Sequence, residues 1–328
     1  MEKRIEYIDI AKCIALLLVV YSHTPGALLQ TYLSPCLMSA FFFLSGYTGS
    51  TKNSWRSHCN KRARRLLVPY IIFSVIFLII SVHHHSFTDF AGIFYSRYCL
   101  YPLGTKPNVM FLLASNGPLW FLTALFISDV VYYGLVKKVD NSSKFIKISI
   151  IIILLASAIL MSHLPILLPW SLDTMPYFVL CLLAGHVSRK YDLLRHKSIY
   201  TVVLFLVYIA VCYINGTDNL SVRDYGRSVI LCLVYGIIGT YILVDICKRL
   251  EKTKAGHSLA FAGTHTLTTF AIQGAVIQIV INLINYFNIP VPQTDFAHFI
   301  VAIIMLLAVF GIGIPLSAGL RKVMPKIF

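Results

Sequence analysis

Charged side chains are scarce in this chain of 328 residues: Asp, Glu, Lys and Arg make up 12% of it, and hydrophobic residues make up 58%. Soluble domains carry roughly 25% charged residues. Apolar runs recur from end to end, and no polar block of domain size, about 50 residues or more, separates them. The composition excludes an ordinary soluble protein and predicts one polytopic membrane domain over residues 1–328, with an all-α fold.

Acidic residues are rarer than basic ones, 13 against 28, which gives a formal net charge of +15. In a soluble protein, such an excess would suggest a nucleic-acid partner. Here the basic residues stand in short loops between apolar runs, as the positive-inside rule and anionic lipid head groups favour. We therefore expect membrane lipids as a partner, and no nucleic acid.

Paired metal ligands are also missing. The eight cysteines form no CxxC pair, and most lie inside apolar runs, where cysteine behaves as a small hydrophobic residue. The consecutive residues His83, His84 and His85 would point in different directions on a helix. The sequence therefore predicts neither a disulfide framework nor a metal site.

Ten apolar runs are long enough to be membrane spans, since a helix needs about 20 residues to cross the hydrocarbon. They lie at 7–27, 33–50, 66–83, 118–136, 146–163, 173–188, 199–215, 227–247, 266–286 and 298–320. With this count, 23 Lys and Arg fall on the side of both termini and 4 on the other side. This asymmetry predicts ten spans with both termini in the cytoplasm. The long outer segment 84–117 is rich in aromatics, which predicts a re-entrant or interfacial element.

The first span contains three ionisable residues, Asp9, Lys12 and His23. At about 100° per residue, they share an arc of about 60° on the helix, and the apolar residues Leu16 and Val19 lie between them on the same face. Lys12 and His23 are eleven residues apart, about 16 Å along the axis, or half the hydrocarbon thickness. Asp9 and Lys12 alone could be a pair at the membrane interface, but intramembrane ionisable residues often mark a functional site.

Other candidate site residues lie near later span ends. Arg62 and Arg65, in "HCNKRARRLLVPY", are either a clamp for phosphates or an ordinary positive-inside cluster. Trp120, in "NGPLWFLTALF", is either an interfacial anchor or a wall on which a sugar stacks. Ser45, in "LSGY", lacks the G-x-S-x-G surroundings of a nucleophile. Its small neighbours favour close helix packing, and we keep it as a candidate substrate-binding residue.

Four stretches together resemble the acyltransferase family 3 of membrane proteins, especially its fucose 4-O-acetylase-like branch. They are "RIEYIDIAKCIALLLVVYSHTPG", with Lys12 and His23 as its basic-x10-His pair, "FFFLSGY", "KRARRLLVPY" and "GPLWFLTALF". The resemblance covers residues 4 to about 130. In that branch, a His-Met-Pro precedes the Phe run and a late span often carries a His. This chain has Leu37–Ser39 and Gln273 at the corresponding places.

The resemblance implies an acyl-CoA-dependent O-acyltransferase in the inner membrane of a bacterial cell. It would transfer an acyl group, usually acetyl from acetyl-CoA, to a sugar hydroxyl of a surface glycan or lipid-linked precursor, and no metal is needed. It implies that Lys12 and His23 are the paired motif residues and that Arg62 and Arg65 are its cytoplasmic R-x-x-R element. Because CoA carries several phosphates, we expect these to bind at Arg62, Arg65 and Lys12. His23 would act as a general base or accept the acyl group covalently. Asp9 would hold Lys12 in place.

The residues alone permit two other functions. A transporter or flippase for a lipid-linked sugar could use Asp9, Lys12 and His23 as a proton relay. A membrane scaffold or sensor could use the same charges to pair helices. We expect saturable binding of acetyl-CoA from the acyltransferase and from neither of the others.

Overall fold

The computed structural model describes residues 4–24, 30–33, 36–80, 87–106, 118–195, 198–288, 294–325 and 327. The described residues form helices joined by turns, with one isolated β-bridge between Asn219 and Asp224 among them. The α-helices are α1 (Glu6–Ser22), α2 (Gln30–Leu33), α3 (Leu37–Thr48), α4 (Trp55–Ile80), α5 (Phe87–Tyr95), α6 (Trp120–Val139), α7 (Lys144–Ser162), α8 (Met175–Lys190), α9 (Ser198–Asn215), α10 (Val229–Leu250), α11 (Lys254–Gly263), α12 (Thr266–Tyr286) and α13 (Asp295–Val323). This confirms the predicted all-α fold.

Each of the ten predicted spans overlaps a helix: α1, α3, α4, α6, α7, α8, α9, α10, α12 and α13. Among the described residues, five helices are long and apolar enough to cross a membrane by themselves, namely α6, α7, α10, α12 and α13. The others are shorter or begin with polar residues. The count of ten spans and the side of the termini stay predictions.

The surface of α7 shows why these helices belong in lipid. Phe145 is 79% exposed and Leu160 is 72% exposed, and isoleucines such as Ile152 are exposed between them. A continuous apolar surface of this kind is rare on soluble monomers. It fits a helix whose outer face meets hydrocarbon.

Two helix ends differ from the prediction. Helix α1 ends at Ser22 and not near residue 27, because the ring of His23 hydrogen-bonds the carbonyl of Val19 at the last turn. Helix α4 begins at Trp55, eleven residues before the predicted span. Its basic first turns remain helical because Arg62 binds the buried carboxylate of Asp129 in α6.

Close packing of α3 on α8 depends on two glycines. A Cβ added to Gly46 would lie 2.0 Å from the carbonyl oxygen of Leu182, and one added to Gly185 would lie 2.0 Å from that of Phe43. Small residues allow such backbone contact between membrane helices. The predicted close helix packing at "LSGY" is confirmed, with this stretch inside α3.

The predicted interfacial element over 84–117 is described in part. Helix α5 exposes three phenylalanines along one side, Phe87, Phe90 and Phe94. The carbonyl of Phe94 accepts a hydrogen bond of 2.7 Å from the indole N–H of Trp170. This arrangement suits a short helix at a membrane surface. Residues 107–117, like the histidine triplet at 83–85, lie outside the described residues.

Candidate active site

Two cavities of about 730 Å³ each are lined by residues of the same four helices, α1, α3, α6 and α12. Asp9 and Lys12 line one cavity from the N-terminal half of α1, and we call it the inner cavity after the predicted cytoplasmic side of the N-terminus. Val19 and His23 line the other from the opposite end of α1, and we call it the outer cavity. Phe270 of α12 lines both. Helices α1 and α12 therefore connect two sites of different chemistry.

The inner cavity is strongly cationic. In the part of the chain that the structure describes, it is lined by one carboxylate, Asp9, and by five basic side chains, namely Arg4, Lys12, Arg62, Arg65 and Arg321. Sequence reasoning missed Arg4 and Arg321, which lie near opposite ends of the chain and counted only as positive-inside residues. A cavity with this balance of charges favours a ligand carrying several negative charges.

Asp9 organises one wall of the inner cavity. Its carboxylate accepts a hydrogen bond of 2.6 Å from Nε of Arg4 and lies 3.4 Å from Nζ of Lys12. The guanidinium of Arg4 also donates to the carbonyl of Ala260 in α11, at 3.0 Å. Asp9 is 9% exposed, and a carboxylate buried to this extent needs such partners. The predicted pairing of Asp9 with Lys12 is thus present, and Arg4 is the shorter contact.

A second buried carboxylate holds Arg62. Asp129 in α6 is 1% exposed and accepts two hydrogen bonds from the Arg62 guanidinium, at 2.9 and 2.7 Å. The ring of His58 lies 2.5 Å from the same carboxylate and stacks on Tyr133. The Arg62 guanidinium also donates to the hydroxyl of Ser45, at 3.1 Å. This network fixes the direction of Arg62 at the cavity wall.

His23 is the residue of chemical interest in the outer cavity. Its Nδ1 lies 2.7 Å from the carbonyl oxygen of Val19, and because a carbonyl can only accept, Nδ1 must carry the proton. In the neutral ring, Nε2 is then the basic nitrogen. The same hydrogen bond fixes the ring at the end of α1, so His23 is positioned to accept a proton through Nε2.

Trp120 lines the outer cavity together with His23. It is 6% exposed, and its ring packs against Phe121 and Phe178 at centroid distances of 6.4 and 6.2 Å. An interfacial anchor would expose its ring to lipid head groups. The buried position of Trp120 instead favours the wall of a binding cavity.

The loop between α9 and α10 closes one side of the outer cavity. The side chain of Asn215 accepts a hydrogen bond of 2.9 Å from the backbone N–H of Ser228 and donates one of 2.8 Å to the carbonyl of Tyr225. Asp173 accepts hydrogen bonds from both Arg97 and Arg223, and all three side chains are almost fully buried. These contacts hold residues 218–222 against the cavity.

An aromatic cluster lies between the cavities. Phe41 and Phe121 line the inner cavity, Phe270 lines both, and the rings of Phe121 and Phe270 are 5.0 Å apart. The expected apolar strip on α1, Leu16 and Val19, is buried; Val19 lines the outer cavity, and Leu16 lines neither cavity in the described part of the chain. The phenylalanines therefore lie between the two cavities.

The structure sorts the predicted site residues into two groups. Asp9, Lys12, Ser45, Arg62 and Arg65 line the inner cavity. His23 and Trp120 line the outer cavity. Lys12 and His23, about 16 Å apart along α1, thus line different cavities, and Asp9 lies with Lys12. Ser45 likewise lies with the cationic side chains and not beside Trp120.

The family comparison adds the chemistry. The family model described as an acyltransferase domain, of acyltransferase family 3, matches residues 5–316. The chain belongs to acyltransferase family 3. No curated protein and no solved structure matches the chain significantly. The match confirms the resemblance seen in the first 130 residues and extends it over nearly the whole chain, which makes the protein a membrane acyltransferase.

Replacing Asp129 tests the buried network of this acyltransferase. Asp129→Asn removes the charge that compensates Arg62, and breaking a buried ion pair from one side typically costs about 3 kcal/mol or more. We expect a clearly lower free energy of unfolding in detergent micelles. The control is Asp140→Asn, because Asp140 pairs with Lys190 where both side chains are exposed, 39% and 38%, and exposed pairs contribute about 1 kcal/mol or less. Equal losses in the two variants would contradict the assigned role of Asp129.

Proposed function

We propose that this acyltransferase uses acyl-CoA, with acetyl-CoA as the donor, and acylates a sugar hydroxyl of a cell-surface glycan or lipid-linked precursor. The observation that carries the proposal is the pair of cavities on α1, one cationic and one containing His23. A donor with a polyanionic end and a reactive end separated by a long arm matches this arrangement. The family match supplies the class of reaction.

The inner cavity suits the nucleotide of CoA. Its phosphates would meet Lys12, Arg62 and Arg65 together with Arg4 and Arg321, the five basic side chains that line it. Arginine can bind phosphate through parallel N–H groups. Nε and Nη2 of Arg62 already bind Asp129, so a phosphate would meet the other N–H groups of this guanidinium. Lys12 and Asp9 are therefore donor-binding and positioning residues in this proposal.

The pantetheine arm would pass the aromatic cluster. This arm is long and uncharged, and the apolar rings of Phe41, Phe121 and Phe270 separate the two cavities. The separation of about 16 Å between Lys12 and His23 then becomes useful, because the thioester reaches His23 while the phosphates remain at the inner cavity. The chain thus holds the two ends of one donor in two environments.

His23 would act as the general base. Its Nε2 takes the proton from the acceptor hydroxyl as that oxygen attacks the thioester carbonyl carbon. The carbon–sulfur bond breaks, the acyl group stays on the acceptor oxygen as an ester, and the CoA thiolate takes the proton from His23. Atoms and charges balance, and the histidine returns to its starting state. The hydrogen bond from Nδ1 to Val19 keeps the ring in the required tautomer throughout.

The position of the termini indicates the side of each cavity. Arg4 and Arg321, near the two ends of the chain, both line the inner cavity. With both termini in the cytoplasm, as the Lys and Arg distribution predicts, the inner cavity opens to the cytosol, where acyl-CoA is made. The outer cavity then faces the far side of a bacterial inner membrane, where surface glycans are assembled.

His23→Ala tests the assigned base. We expect acetyl transfer to fall at least 100-fold, since general base catalysis contributes roughly 100- to 10,000-fold, while acetyl-CoA still binds through the inner cavity. The measurements are transfer of labelled acetyl to membrane glycans and lipids, and saturable binding of acetyl-CoA to the purified protein. The control is His163→Ala, because His163 follows the end of α7 as His23 follows α1, and it lines neither cavity. Transfer retained by His23→Ala would refute the assignment.

Arg65→Ala tests donor binding. We expect the dissociation constant for acetyl-CoA to rise about tenfold at low salt, as for the loss of a hydrogen bond to a charged group, and the acceptor KM to change little. Arg64→Ala is the matched control, because Arg64 is exposed on the same helix and lines neither cavity. An acceptor KM that rises more than the donor dissociation constant would contradict the placement of the nucleotide.

A further inference from the structure

The outer cavity contains a buried amide, that of Gln273, to which no described residue is hydrogen-bonded. Gln273 of α12 is 1% exposed and lines this cavity with His23 and Trp120. Neither its Oε1 nor its Nε2 has a hydrogen-bond partner among the described residues. Buried amides in folded proteins are nearly always hydrogen-bonded. The amide of Gln273 is therefore available to a ligand that enters the cavity.

An amide group matches a particular ligand chemistry. It presents one acceptor oxygen and one donor NH₂ group side by side. Two adjacent hydroxyls of a sugar ring can meet it in the same plane, one donating to Oε1 and the other accepting from Nε2. The ring of Trp120 on the cavity wall offers an apolar face to the C–H groups of the same sugar.

Among the described residues, no Lys or Arg lines the outer cavity to pair with an acidic sugar. Arg97 and Arg223 are bound to Asp173, the ammonium of Lys106 lies 5.4 Å from the ring of Tyr101, and Arg227 is exposed. The segments 25–29, 34–35, 107–117 and 289–293 also contain no Lys or Arg in their sequence.

The cavity does contain a carboxyl group. Asp218 lines it from the loop after α9, and its Oδ1 is buried with no hydrogen-bond partner in the described part of the chain. Burial raises the pKa of Asp218 to about 7, against a smaller opposing effect of a hydrogen bond from Tyr235. Above that pH the charge repels other anions, and Oδ1 can accept a hydrogen bond from a ligand hydroxyl.

We propose that the outer cavity selects an uncharged sugar residue as acceptor, with the Gln273 amide hydrogen-bonded to two adjacent hydroxyls and Asp218 accepting from a third. Uronic acids and phosphorylated sugars are then poor acceptors, because no described Lys or Arg lines the cavity to compensate their charge. This inference rests on the proposed function, since it concerns the acceptor of the same reaction. Gln273 and Asp218 are specificity-determining residues in it.

The native product gives the first test. Membranes containing the protein are incubated with labelled acetyl-CoA at pH 8, the labelled glycan is cleaved to its sugar residues under conditions that keep the ester, and neutral and acidic fractions are separated by anion exchange. We expect the label in the neutral fraction. Label on an acidic residue would overturn the inference and leave the proposed function intact. No label in any glycan or lipid fraction would overturn the proposed function itself.

Two variants of α12 give the second test. Gln273→Ala should raise the KM for the labelled acceptor fraction about tenfold, as for the loss of hydrogen bonds to a ligand, with the KM for acetyl-CoA within twofold of wild type. Its thermal midpoint should not fall, because an unpartnered amide is removed. Gln278→Ala is the control, since Gln278 lies at the rim of the same cavity with its amide bonded to Asn282. An unchanged acceptor KM in Gln273→Ala, or equal changes in both variants, would overturn the role of Gln273.

Discussion

The free-energy cost of burying a charged side chain inside an apolar helix bundle determines which side chains pair in this structure. A charged side chain in the membrane needs a partner or a polar cavity, and each one described here has one or both. Asp9 binds Arg4 and Lys12, and Asp129 binds Arg62. Asp173, which precedes α8, binds Arg97 and Arg223 in the loops. In the described part of the chain, the inner cavity is lined by five basic side chains and one carboxylate, a balance that favours a ligand with several negative charges.

In our proposal, the two cavities separate phosphate binding from general base catalysis. Binding several phosphates needs a dense group of cations. A general base must accept and release a proton in each reaction, so its surroundings must not fix the ring in one protonation state. The aromatic cluster of Phe41, Phe121 and Phe270 separates these environments, and α1 and α12 pass along both. In our proposal, the donor itself connects them, with its phosphates in one cavity and its thioester in the other.

Local periodicity accounts for what the sequence could predict. The shared face of Asp9, Lys12 and His23 follows from helix geometry alone, and the apolar runs located the helices. The partners could not be predicted, because they come from distant parts of the chain: Arg321 from the last helix, Asp129 from α6, Asp218 from the loop after α9 and Gln273 from α12. Motif resemblance identified the family, and tertiary packing showed that Lys12 and His23 line different cavities.

Sidedness of transfer is the most direct test of this account. Sealed vesicles of one orientation, with the acceptor glycan on the face opposite the termini, are given labelled acetyl-CoA on one face at a time. The account predicts that label reaches the glycan when the donor is supplied on the face of the termini, and that donor supplied on the glycan's own face gives none until the vesicles are opened. Equal labelling from the glycan's own face in sealed vesicles would contradict the passage of the donor arm from the inner to the outer cavity.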